Sequence, residues 1–112
     1  MAAADEVVLW KAPQPGRDAV RELINGFDPQ EYPGNGPYFA TVRAIAHEYL
    51  RFYKAGLQVI YLPRTLFDDL IRQSIILPDR YYTDGESYHV PAAGLVVFNM
   101  AIEQGSPNEY YP

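Results

Sequence analysis

The spacing of hydrophobic and polar residues changes period several times along the chain, and each change marks an element. Val7-Val8-Leu9-Trp10 is a β-branched and aromatic run closed by Pro13 and Pro15, which predicts a first strand. After Pro15-Gly16, residues Val20, Leu23 and Ile24 recur at helical spacing. Asn25-Gly26 closes that helix, because glycine tolerates the left-handed conformation of a helix end. Residues 27–37 contain Asp28-Pro29, Pro33-Gly34 and Asn35-Gly36, so a loop is expected.

Tyr38-Phe39-Ala40 is a brief extended segment, and Thr41 is the expected N-cap of a second helix. There Val42, Ile45, Ala46, Tyr49 and Phe52/Tyr53 share a face, and Gly56 ends it. Leu57 to Leu62 predicts a buried strand. Thr65 is the expected cap of a third helix with Leu66, Phe67, Leu70 and Ile71 on one side and Asp68 and Asp69 in its first turn. Ile75-Ile76-Leu77 and Tyr81-Tyr82 are extended pieces split by Pro78, Asp84-Gly85 is a turn, and Ser87 to Val90 is a strand. Leu95 to Phe98 predicts another strand, whose continuation through Ile102 fits strand and helix alike. Residues 1–6 and 105–112 are expected to be irregular. The order excludes a helical bundle, and the later strands are too closely spaced for helical crossovers. One α+β domain over residues 1–112 is expected.

Composition narrows the function classes. The 112 residues are 48% hydrophobic and 14% aromatic, enough for a packed core and against a disordered chain. Ten tyrosines against five phenylalanines favour a ligand cleft, since tyrosine offers a stacking face and a hydroxyl together. The net charge is −5 and the nine Lys and Arg are scattered singly, so nucleic acid is the less favoured partner. Absence of cysteine removes disulfides, thiolate metal sites and Cys nucleophiles. His47 and His89 lack acidic partners at ligand spacing, and no metal is expected. No apolar run is long enough to cross a bilayer, and Met1 to Glu6 does not resemble a signal peptide. No membrane association is expected; the expected location is the cytoplasm, or outside the cell without a cleavable leader.

Three segments carry a family resemblance. Leu9-Trp10-Lys11-Ala12 is followed by a helix ending Glu22-Leu23-Ile24-Asn25-Gly26-Phe27. Gly34-Asn35-Gly36-Pro37-Tyr38-Phe39-Ala40-Thr41 precedes a helix whose Tyr49 lies eleven positions after Tyr38. Gly85-Glu86-Ser87-Tyr88-His89-Val90-Pro91 begins a strand with a glutamate. In order and spacing they resemble the ADP-ribosyltransferase superfamily, in its diphtheria-toxin and poly(ADP-ribose) polymerase branch, over residues 7 to 98. The resemblance implies two small packed sheets, antiparallel or mixed, with flanking short helices around an NAD cleft. It implies NAD as substrate, Tyr38 and Tyr49 as plates around the nicotinamide, Glu86 with Tyr38 as the catalytic set, and Lys11 and Ala12 as clamps for ribose and carboxamide. Thr41, read above as a helix cap, joins the cofactor-binding set. Lys11 stands where the family has His or Arg; it can donate to a ribose hydroxyl or a phosphate as a point charge. Glu103 and Glu109 are reserve carboxylates.

The expected activity is mono-ADP-ribosyl transfer, or NAD hydrolysis, by a small bacterial toxin or effector. A protein target is the expected acceptor and an inhibitor protein the expected partner. The competing readings keep the fold: a catalytically degenerate binding module acting by protein contact, or an RNA-targeting toxin.

Overall fold

In a computed structural model, which describes residues 5–79 and 86–112, the chain is an α+β domain built on an antiparallel sheet. β1 (Glu6–Lys11) alternates half-buried and buried residues, so Val7, Leu9 and Lys11 share one face. β3 (Leu57–Pro63) pairs with it antiparallel over its whole length, from Glu6 opposite Pro63 to Lys11 opposite Gln58. Residues 57–62 of β3 are all buried, which explains the apolar run there, interrupted only by Gln58.

The described strands form one sheet in the order β4-β5-β2-β1-β3-β6, where β2 is Tyr38–Ala40, β4 Leu77–Pro78, β5 Ser87–His89 and β6 Glu109–Tyr111. This corrects the expectation of two small packed sheets. β1 meets β2 at the single pair Trp10–Ala40, so two three-stranded halves share one junction. Bridging there leaves neither inner strand with a fully open edge.

Among the described residues four helices flank the sheet. α1 (Ala19–Asn25) is capped by Asp18, whose side chain accepts from the Arg21 N–H at 3.1 Å. It buries Ala19 and Glu22 and leaves Val20 and Ile24 exposed, against the apolar face expected for it. The reason is its seat: it lies over the polar Gln58 end of β3, not over the centre of the core. α2 (Arg43–Tyr53) buries Ile45 and Ala46, and its N-cap is Val42, not Thr41. Thr41 instead donates through its hydroxyl and its N–H to the Glu86 carbonyl, at 3.4 and 2.9 Å. α3 (Arg64–Arg72) leaves β3 directly at Pro63, so Thr65 lies inside the first turn and caps nothing. Phe67 and Leu70 face the core as expected, with Leu66 and Ile71 packed beside them.

Two further expectations are corrected. Leu95 to Phe98 is not a strand but the start of α4 (Leu95–Ala101), after a 3-10 turn over Ala92–Gly94. Leu95, Phe98 and Ala101 are buried at helical spacing, whereas Val96 and Val97 point outward and disguised the period. The tail is not wholly irregular, because β6 pairs with β3 and closes that edge. The Tyr81-Tyr82 and Asp84-Gly85 segments lie outside the described residues.

Phe27, Phe39 and Phe98 meet at the heart of the core, Phe39 lying 5.4 Å from Phe27 and 5.2 Å from Phe98 between ring centroids. Asn99 fixes α4 to the end of α1: its Oδ1 accepts from the Phe27 N–H and its Nδ2 donates to the Phe27 carbonyl, both at 2.9 Å. Among the described residues no helix is long and apolar enough to cross a membrane.

Candidate functional site

Beyond the Trp10–Ala40 pair the inner strands part, and a cleft of about 450 Å³ opens there. β1 and its exit contribute Trp10, Lys11 and Ala12; β2 contributes Tyr38, Phe39 and Ala40. α2 supplies Ile45, Ala46, Tyr49 and Tyr53, the loops supply Gln14, Arg17, Tyr32 and Gly36, and Asp79 and Ser87 come from the β4–β5 side. Strand alternation explains the mixture: Trp10 and Tyr38 belong to one face of the sheet, Lys11 and Phe39 to the other, and the gap admits both.

The rim is aromatic. The Tyr38 ring stacks on His89 with centroids 5.1 Å apart and planes 23° from parallel, and Tyr49 stacks on Tyr53 at 6.1 Å and 24°. Tyr38 is 44% and Tyr49 45% exposed. The His89 Nδ1–H donates to the Asn35 carbonyl at 2.7 Å, holding the imidazole beneath Tyr38. Gly36 allows the loop to approach. Its φ is +69° and a Cβ would lie 1.8 Å from the Val90 carbonyl oxygen, so no other residue fits.

One side of the cleft is backed by a buried polar group. Gln58 is fully buried; its Nε2 donates to the Ala19 carbonyl and to Glu22 Oε1, each at 3.0 Å. The Tyr32 hydroxyl donates to Glu22 Oε2 at 2.5 Å, so both oxygens of the buried Glu22 carboxylate are satisfied. Among the described residues Gln58 Oε1 is buried without a hydrogen-bond partner. Burial, followed by the hydrogen bond to Glu22 and its charge, pushes the Tyr32 hydroxyl well above the usual tyrosine range.

Lys11 is 7% exposed and its Nζ lies 5.3 Å from the Tyr32 ring centroid. Burial pulls its pKa down to about 8; the Glu22 charge opposes that shift and Arg17 adds to it. Arg17 stacks on the same ring with Cζ at 4.2 Å, and is held by Glu31 through a 2.9 Å bond to its carbonyl and a 3.6 Å ion pair.

Of the residues singled out from sequence, Lys11, Ala12, Tyr38 and Tyr49 line this one cleft. Thr41 and Glu86 are not among its described lining residues; they bond to each other beside it, Glu86 directly before Ser87. Glu109 is on the edge strand β6, where the Tyr111 and Tyr61 hydroxyls hold its pKa down to about 2, and Glu103 is exposed after α4. Neither lines the cleft. Asp79 and Ser87, joined by a 3.3 Å bond from Ser87 Oγ to Asp79 Oδ2, were not anticipated at the site. Nor was the Glu22–Tyr32–Gln58 group, although Gln58 as the lone polar residue of an apolar strand was a usable signal. No group of three potential ligands for a metal ion occurs among the described residues.

No family model, curated protein or solved structure matches the chain.

Proposed function

We propose that the cleft binds NAD and that the domain breaks its nicotinamide–ribose bond, as an ADP-ribosyltransferase or NAD glycohydrolase. The observation that carries this reading is convergence: Lys11 and Ala12 from one of the resembling segments, and Tyr38 and Tyr49 from another, line the same cavity. In this reading Tyr38 and Tyr49 flank the nicotinamide, with Tyr38 steadied by His89. Lys11 and the backbone at Ala12 hold the ribose and carboxamide. Glu86 acts from the start of β5, where a carboxylate stabilises the sugar cation as nicotinamide departs. Water or a nucleophile on a protein target then takes the sugar.

Release of nicotinamide from NAD tests this. Glu86→Gln is expected to slow it at least ~100-fold, the usual scale for one charge-stabilising group. Asp79→Asn is the comparison, because Asp79 is the carboxylate that lines the cleft among the described residues. Equal rates in Glu86→Gln and the parent remove Glu86 from the mechanism.

A second reading rests on Glu86 not being among the cleft's described lining residues. On it the domain retains the nucleotide cleft and acts by binding alone. NAD stabilisation without nicotinamide release favours that reading.

A further inference from the structure

Among the described residues Lys11 Nζ makes no hydrogen bond and no ion pair; its neighbour is the face of Tyr32. The side chain is largely buried, where an ammonium without an oxygen partner is costly and loss of its proton is the cheapest relief. Lys11 nevertheless lines the cleft, so the amine is reachable by a small ligand. Tyr32 lies beside the amine, and the same cleft is lined by Trp10, Tyr38, Tyr49 and Tyr53, rings suited to a flat partner.

We propose that Lys11 is a nucleophilic amine that captures an aromatic aldehyde in this cleft as an imine. The Nζ lone pair attacks the carbonyl carbon. The carbonyl oxygen takes up the amine's protons and leaves as water, and a C=N bond replaces the C=O bond. No oxidant or reductant is needed. The inference is independent of NAD chemistry, and it assigns Lys11 a covalent role that a His or Arg at this position cannot perform.

The groups facing the amine set its proton balance: Glu22 of α1 favours the charged form, and Arg17 and burial oppose it. Tyr32 holds its proton, bonded to Glu22, and Gln58 opposite on β3 is uncharged. With a pKa of about 8, about a quarter of Lys11 is neutral at about pH 7.5, against about one in a thousand for an ordinary lysine.

The chain supplies its own control, because Lys54 is the one other lysine and is exposed in the left-handed cap of α2. The experiment treats the intact protein with salicylaldehyde and cyanoborohydride, which delivers hydride to the imine carbon and leaves a stable secondary amine. Peptide mapping then reads each lysine. Lys11 is expected to be labelled at least ~10-fold faster than Lys54 near pH 7.5, with its rate rising through pH ~8, and the preference is expected to vanish in denaturant. Propanal is expected to show a smaller preference, lacking a ring to stack. Equal labelling of the two lysines in the folded protein, or a preference that survives denaturation, overturns the proposal; equal preference for propanal overturns its aromatic part. Both lysines are read in the parent chain, so no variant has to fold. Labelling of Lys11 without any NAD binding sustains this inference while refuting the proposed function, and the reverse result separates them equally well.

Discussion

Lys11 and Gln58 stand opposite each other on β1 and β3, both buried, at the point where the apolar face of the sheet gives way to polar side chains. Val7 and Leu9, and Ile60 and Leu62, continue that face as ordinary core. Two polar residues replace apolar ones only at the cleft end. The arrangement costs stability and is expected to be relieved by substitution at Lys11.

Lys11→Met tests this through pH. The folded pKa of about 8 lies below the ordinary 10.5, so between these values the unfolded chain binds the extra proton and folding becomes more favourable as pH rises. The cost of burying the charge is fully present below pH 8. Tyr32 and Tyr61, whose pKa values are raised, act in the opposite direction only above about pH 10. From pH 8 to 10 the parent is therefore expected to gain up to ~2 kcal/mol relative to Lys11→Met in urea unfolding, with the variant the more stable at pH 7. A constant difference across that range contradicts the buried-amine account.

Gln58→Leu has the opposite sign. It removes one orphan acceptor, but it also strips a donor from the buried Glu22 carboxylate and from the Ala19 carbonyl. Loss of a bond to a buried charge outweighs relief of a neutral acceptor, so a net destabilisation of about 1–3 kcal/mol is expected by denaturant titration. An unchanged midpoint shows that the Glu22 network contributes little to stability.

Tyr32→Phe isolates the hydroxyl. The ring that carries Lys11 and Arg17 remains, while Glu22 Oε2 loses its 2.5 Å donor. A cost of about 1–3 kcal/mol is expected. Peptide-level labelling of Lys11 should persist, since the phenyl face still covers the amine.

Much of this architecture was legible in the chain, for identifiable reasons. β1, β3 and α3 carry clean periods, and Phe67 and Leu70 fall where spacing puts them. α4 was misread because Val96 and Val97 are apolar yet exposed, so a helical stripe looked like a strand. β6 was missed because nothing in Glu109-Tyr110-Tyr111 announces a partner; its strand state comes from pairing with Leu57 to Val59. At the site, tyrosine and strand-end positions were readable. Contacts between residues far apart in sequence, such as Gln58 with Glu22 or Ser87 with Asp79, were not. Local patterning carries no record of them.

Gly36→Ala probes the loop that lines the cleft. Its Cβ would meet the Val90 carbonyl, and the left-handed backbone adds strain. A loss of more than ~1 kcal/mol is expected in thermal or urea unfolding. Equal stability means the loop moves freely away from β5.

Trp10 is the chain's single tryptophan and lines the cleft, so its fluorescence reports what enters there. Titration of the intact protein with NAD therefore reads occupancy of the cleft. A saturable change in Trp10 emission is expected, weakening at least ~10-fold in apparent affinity in Tyr38→Ala and in Tyr49→Ala, both of which leave the buried core intact. No change at millimolar NAD, or the same titration curve in the parent and both variants, contradicts binding of NAD in this cleft.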